Sequence, residues 1–229
     1  MNLQHRATQK ELLDQPLIPF DDIRQNMKEL EFINQYLGGH AITLAGLKKL
    51  STNNKDLYVC EIGSGGGDNL HALNSYCKKN NINATFTGID INPECVIYAN
   101  SRKTSSINFI INDYSAVKFA DRKPDIIFSS LFCHHFLNNE LTSMLRWMND
   151  NSTIGYFIND LHRHSIAYHF IKFATAIFSK SYLVKHDAPL SVAKGFKKTE
   201  WLKLLSLANA KNYTVQWKWA FRHLITVKH

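Results

Sequence analysis

The sequence has little glycine and proline, ten and five residues in a chain of 229. That scarcity excludes a collagen-like or low-complexity chain, and 12% aromatic residues exclude a disordered one. Long apolar runs are also missing. The greasiest stretch, Ile166 to Phe178, is too short to cross a bilayer and carries His169 and Lys172. Met1 to Gln15 is polar, so no secretory signal is expected and the protein is expected to be cytoplasmic. Cysteine is sparse. Cys60, Cys77, Cys95 and Cys133 show no Cys-x-x-Cys pair and no zinc-like spacing with histidine, so reduced thiols and no metal centre are expected.

What is present suits one globular domain, or one with a small elaboration: 45% of the residues are hydrophobic. The formal net charge is +8, but it is dispersed in pairs such as Lys48-Lys49, Lys78-Lys79, Arg102-Lys103 and Lys197-Lys198. Such pairs suit helix C-termini, and no basic block is interleaved with aromatics, so nucleic acid is a disfavoured partner.

The first fifty residues read as helical. Asp21 or Asp22 is positioned to cap a helix whose apolar positions are Ile23, Met27, Leu30, Ile33 and Leu37. Gly38-Gly39 would stop it, and a second helix spans about Ala41 to Leu50. Residues 1–54 are expected to form a helical lid and 55–229 the main domain. From Leu57 short apolar strands alternate with helices. Strands are expected at Leu57 to Ile62, Ala84 to Ile89, Ile107 to Ile111, Asp125 to Ser129 and Ile154 to Ile158, with helices at Asp68 to Lys79, Asn92 to about Ser101 and Asn138 to Asn149. This alternation implies a parallel sheet with right-handed crossovers. The ending differs. A helix from Thr199 to Asn209 precedes two closely spaced strands, Tyr213 to Trp219 and Leu224 to Lys228, which read as an antiparallel pair. Ala167 to Phe178 reads as a buried helix that could alternatively line a substrate pocket or face a membrane, and His186, Asp187 and Ser191 fall in a long connection.

Chemistry concentrates at the carboxyl ends of the strands, where open α/β sheets bind ligands. Glu61-Ile-Gly63-Ser64-Gly65-Gly66-Gly67-Asp68 turns a strand into a helix, with glycines that admit a ligand close to backbone N–H groups. A dinucleotide site would place glycine at position 68. The aspartate there would repel a pyrophosphate, so the ligand is expected to carry a positive group. Asp90 ends the second strand, where a carboxylate can accept both hydroxyls of a ribose, and Asp113 ends the third.

Glu61 to Gly67, Asp90 and Asn112-Asp113 resemble the cofactor motifs of the class I S-adenosylmethionine-dependent methyltransferases, and the resemblance runs from about Leu57 to the C-terminus. It implies a Rossmann-like α/β fold with a seven-stranded, mostly parallel sheet whose last strand is antiparallel. It implies that Gly63, Ser64, Gly65 and Gly67 hold the methionine moiety and that Glu61 orders the loop or reaches the cofactor's amino group. Asp90, with Ile91 beside it, would take the ribose. Asn112, Asp113 and Tyr114 would take the adenine, and Ser130 is a further cofactor contact. Asp14, the helix ending at Gly38-Gly39 and Asn159-Asp160-Leu161-His162-Arg163 are similar to a bacterial branch found with polyketide, pigment or quinone-like biosynthesis.

In this fold the loop Ser129-Ser130-Leu131-Phe132-Cys133-His134-His135 faces the transferred methyl. His134 or His135 is the candidate general base, with structural packing as its alternative. Phe132, His162 and Arg163 are candidate substrate contacts, although Arg163 could instead pair with Asp160. The loop lacks the Asn/Asp-Pro-Pro-aromatic motif of amino-methylating nucleic-acid enzymes, and no cysteine follows a proline as in cytosine C5 enzymes. The resulting expectation is O-methylation of an aromatic or polyketide-like small molecule, with S-adenosyl-L-methionine as cofactor. RNA or protein methylation and a non-catalytic cofactor-binding domain are the alternatives.

Overall fold

The structure, a computed structural model, describes residues 3–15, 17–51 and 56–229. The expected boundary between residues 54 and 55, with most of the loop before it, lies outside the described residues.

Strands β1 (Asp56–Ile62), β2 (Asn83–Asp90), β3 (Ile107–Ile111), β4 (Ile126–Ser130), β5 (Gly155–Leu161), β6 (Tyr213–Lys218) and β7 (Arg222–Lys228) form one sheet in the order β3-β2-β1-β4-β5-β7-β6. The first five are parallel, and β7 runs antiparallel to both its neighbours, β5 and β6. Successive side chains of a strand leave on opposite faces, so each central strand feeds two cores. Val59, Phe128, Phe157 and Leu224 join one, packed with Leu47, Leu70 and Leu73. Cys60, Ile127, Ile158 and Ile225 join the other, packed with Leu141, Leu145 and Trp201. Coverage on both faces explains why these strands are mostly apolar, with their polar residues gathered toward the carboxyl ends.

The helices are α1 (Phe20–Tyr36), α2 (Gly39–Leu50), α3 (Asp68–Lys79), α4 (Pro93–Asn100), α5 (Asn138–Asn151), α6 (Ser165–Phe178), α7 (Tyr182–Lys194) and α8 (Lys198–Leu207). Asn92 caps α4 by accepting from the backbone N–H groups of Glu94 and Cys95, with Pro93 in the first turn. All four cysteines are buried and free.

Four expectations need correction. α1 begins at Phe20 after Pro19, so neither Asp21 nor Asp22 caps it; both lie in its first turn. β5 continues to Leu161, because β7 pairs Leu224 with Asn159 and His223 with Asp160, so these polar residues belong to the strand rather than to a loop after it. His186, Asp187 and Ser191 lie on helix α7. That helix carries Pro189 in its interior and is held by the burial of Leu183, Val184, Leu190 and Ala193. α6 buries only Ala167, Ile171 and Thr175, leaving most of its apolar surface exposed.

Candidate active site

The sheet order reverses between β1 and β4, and the carboxyl ends of β1, β2, β3 and β4 border a cavity of about 860 Å³. Residues of α1 and of the segment before it, including Leu13, Ile18, Met27 and Ile33, line it as well.

The glycine loop is built by close approach. Gly63 has φ +66°, and a Cβ there would overlap the Phe132 ring. Gly67 has φ +76°, with the Phe109 ring where its Cβ would stand. Only glycine meets both demands without strain. Asp90 then fixes the loop: its Oδ2 accepts from the Gly65 N–H at 2.7 Å and its Oδ1 from the Asn92 N–H at 2.9 Å. Burial nevertheless raises the Asp90 carboxyl above its ordinary range. Each oxygen keeps a further lone pair for a hydroxyl donor.

Glu61 is buried at the end of β1. Its Oε1 accepts from Asn69 Nδ2 at 3.1 Å, while Oε2 has no partner among the described residues, and the same holds for Ser64 Oγ. Burial, and after it the nearby Asp68, pushes the Glu61 carboxyl well above the usual range. A buried acid with a free oxygen toward a cavity is suited to an ammonium group. Asp68 is already satisfied, accepting from Asn34 Nδ2 at 3.0 Å and lying 2.7 Å from His40 Nε2. Arg222 also lines the cavity. It donates through Nη2 to Asn34 Oδ1 and leaves Nη1 without a partner, a donor suited to a carboxylate. No sequence pattern singles it out.

Asn112 and Asp113 are exposed at the rim. Asp113 Oδ1 accepts from the backbone N–H and the hydroxyl of Ser115, both at 2.8 Å. The Tyr114 ring meets Phe132 and Phe136 edge-on, with centroids 6.4 and 6.3 Å away, which makes an aromatic wall. Ile91 is exposed, and Ser130 Oγ accepts from Asn159 Nδ2.

A second cluster lines the same cavity. A 3₁₀ turn, Cys133–His135, presents two histidines to the cavity. His134 is buried, with Nδ1 2.8 Å from Asp160 Oδ1 and Nε2 3.6 Å from Glu11 Oε1. Burial alone would lower its pKa, but the Asp160 carboxylate outweighs burial and raises it to about 9. His135 is less buried, with Nδ1 3.3 Å from Asp14 Oδ2 and Nε2 3.7 Å from Glu11 Oε2. Glu11, His134 and His135 offer three atoms within 4.8 Å that could ligate a metal ion. Lys194 Nζ, 3.1 Å from Glu11 Oε1, already answers the negative charge there. The backbone N–H groups of Leu12 and Leu13 donate to Asp187 of α7. Arg6 donates to the carbonyls of His134, Phe136 and Lys194, so the N-terminal segment is tied to the histidine turn.

The structure brings together at one cavity Glu61, Gly63, Ser64, Gly65, Asp90, Ile91, Asn112, Asp113, Tyr114, Ser130, Phe132, His134 and His135. Gly67, His162 and Arg163 are not among its lining residues. Gly67 caps α3. His162 packs against His164, Phe221 and His223. The Arg163 guanidinium is buried against Glu200, 2.7 Å away, and the carbonyls of Leu3, Gln4 and Gly195, so it does not pair with Asp160. Glu11, Lys194 and Asp187 escape sequence reasoning because their meeting is wholly tertiary.

A family model described as a methyltransferase domain matches residues 53–207. Among curated proteins no sequence matches the chain. Solved structures do, at low identity. The plantazolicin methyltransferase BpumL, in complex with a desmethylplantazolicin analogue and S-adenosylhomocysteine, is 17% identical over 91% of this chain and 90% of that one, with a TM-score of 0.67. A methyltransferase from Aquifex aeolicus is 14% identical over 93% and 99%, with a TM-score of 0.63. Human N-acetylserotonin methyltransferase, bound to S-adenosylmethionine, is 16% identical with a TM-score of 0.65, and this chain spans 56% of its length. The donor set fits that cofactor: an unpartnered Glu61 oxygen for an amine, the Arg222 Nη1 for a carboxylate, and Asp90 for hydroxyls. The chain belongs to the methyltransferase-domain family and is a class I S-adenosylmethionine-dependent methyltransferase.

Proposed function

We propose that the protein methylates a hydroxyl of a small aromatic acceptor, with His135 as general base. The observation that carries this reading is the placement of His135 in one cavity with the Glu61 and Asp90 carboxyls and with an aromatic wall of Tyr114, Phe132 and Phe136. Similarity to methyltransferases of N-acetylserotonin and plantazolicin supports a small-molecule acceptor.

When bound, S-adenosylmethionine supplies an electrophilic methyl group. Glu61 and Arg222 would hold its methionine end, Asp90 its ribose, and Asn112, Asp113 and Tyr114 its adenine. His134, held as an imidazolium between Asp160 and Glu11, anchors the turn and is a poor base. His135 can donate its Nδ1–H to Asp14, which leaves the Nε2 lone pair to take the acceptor's hydroxyl proton. The Glu11 carboxylate 3.7 Å from that nitrogen then stabilises the imidazolium formed. Positioning in the walled cavity supplies the larger part of the acceleration. The segment before β1 acts as the lid that excludes water.

The test is turnover of S-adenosylmethionine with a panel of phenols, matched aromatic amines and carbon nucleophiles, with products identified by mass spectrometry. Methyl ethers from the phenols are expected. Transfer to the amines alone would refute the reading.

A further inference from the structure

α6 carries apolar residues on the side that the fold does not bury. Ile166, Phe170, Phe173 and Ile177 recur at spacings of four, three and four, which aligns them in a single stripe. They are 62, 56, 67 and 56% exposed. Single exposed hydrophobics are ordinary, but four in register on one helix form a surface that water alone does not explain.

The segment that carries this stripe has charge of one sign. From Leu161 through His186 the sequence holds no aspartate or glutamate, whereas Lys172 on α6, Lys180 in the turn after it and Lys185 on α7 are all exposed. The carboxylates that reach this segment come from α1 and are engaged there: Glu29 accepts from the Ser179 hydroxyl and from the backbone N–H groups of Lys180 and Ser181, and Asp22 accepts from the Tyr182 hydroxyl. The stripe is also continuous with the cavity: Ala167, Phe170 and Ile171 of the same helix line it, as does Leu17, which is 97% exposed. No helix of the described residues is long and apolar enough to cross a membrane.

The geometry points to α6 as an interfacial helix that docks the protein on an anionic lipid surface. Its apolar stripe rests at the boundary of headgroups and acyl chains, and the lysines extend to the phosphates. A second copy of the chain is a poorer occupant. A two-fold contact through this face would oppose Lys172, Lys180 and Lys185 to their own copies, and the Glu29 carboxylate beside Lys180 is already taken up by Gln25, Ser179 and two backbone N–H groups. Docked this way, the cavity rim formed by Leu17 and Phe170 faces the lipid, which gives a lipophilic acceptor a route that avoids water. The inference goes beyond the methyl-transfer reading, and membrane binding can be measured without turnover.

The experiment is co-sedimentation of the full-length protein with phosphatidylcholine vesicles, with and without phosphatidylglycerol. Binding to the phosphatidylglycerol vesicles is expected, weakening as salt is raised. The double substitutions Phe173→Asp/Ile177→Asp and Lys172→Glu/Lys185→Glu should each lower that binding at least about tenfold. Their circular dichroism and thermal unfolding should match the parent, since all four side chains lie in water. Three outcomes would overturn the proposal: a parent protein that stays in the supernatant, variants that bind as well as the parent, or light scattering that shows a dimer dissociated by Phe173→Asp/Ile177→Asp.

Discussion

Asp160 Oδ1 lies 2.8 Å from His134 Nδ1, and both side chains are buried. An aspartate on β5 therefore fixes a histidine on the turn after β4, and it does so as an ion pair. Glu11 closes the other side of the ring, at 3.6 Å from Nε2. The two adjacent histidines differ for this reason: His134 is held between two carboxylates in the interior, and His135 lines the cavity beside Glu11 and Asp14.

The first prediction concerns stability. The His134 pKa is raised from 6.5 to about 9, with burial opposing the shift and Asp160 prevailing. The folded state thus holds the proton more tightly than the unfolded chain. The stabilisation is complete below pH 6.5 and is lost as pH rises through about 9, in total about 3 kcal/mol. Denaturant unfolding between pH 6 and 10 should show that decline. His134→Gln keeps a donor for Asp160 and should flatten it, and an unchanged slope would refute the ion pair.

The second concerns Glu61. Burial, then Asp68, holds this carboxyl in its protonated form well above the usual range. Capture of a cationic amine favours the ionised form, so binding of S-adenosylmethionine should release a proton and tighten as pH rises toward neutrality. Glu61→Gln retains an acceptor for Asn69 and loses the charge. Calorimetry should show affinity at least about tenfold weaker and no longer coupled to pH. Parent-like binding by the variant would remove Glu61 from the cofactor site.

Periodicity and capping made much of the fold legible. α3 spans Asp68–Lys79 and β3 spans Ile107–Ile111 as their apolar patterns predict, because two-faced burial and helix-end lysines leave local signatures. Helix α7 left none, and its residues read as part of a long connection; with Pro189 in its interior, only the tertiary burial of residues such as Leu183 and Leu190 holds it. Periodicity also cannot tell a helix buried all round from α6, which presents its greasy side outward. The carboxyl-edge residues were legible because each ends a strand. Glu11 was not. It lies 183 positions from Lys194, and nothing local forecasts that meeting.

The third prediction is that Arg163 serves the fold. Its buried guanidinium satisfies Glu200 and three backbone carbonyls away from the cavity, so Arg163→Ala strands those acceptors. A loss of about 3 kcal/mol in unfolding free energy is expected. The KM for the acceptor, measured on the folded enzyme, should stay near that of the parent. A large rise in KM without loss of stability would return Arg163 to the substrate.

The last prediction separates the base from its support. His135→Ala should lower single-turnover methyl transfer by about 10²–10⁴-fold while S-adenosylhomocysteine binds as before, since removal of a general base leaves the cofactor's contacts intact. Glu11→Gln should lower the rate less, because it weakens the stabilisation of the His135 imidazolium without removing the proton acceptor. The rate of the folded enzyme, with unfolding followed beside it, is the deciding measurement. A structural role for Glu11 would change stability and leave that rate in place. A base other than His135 would keep the rate in His135→Ala.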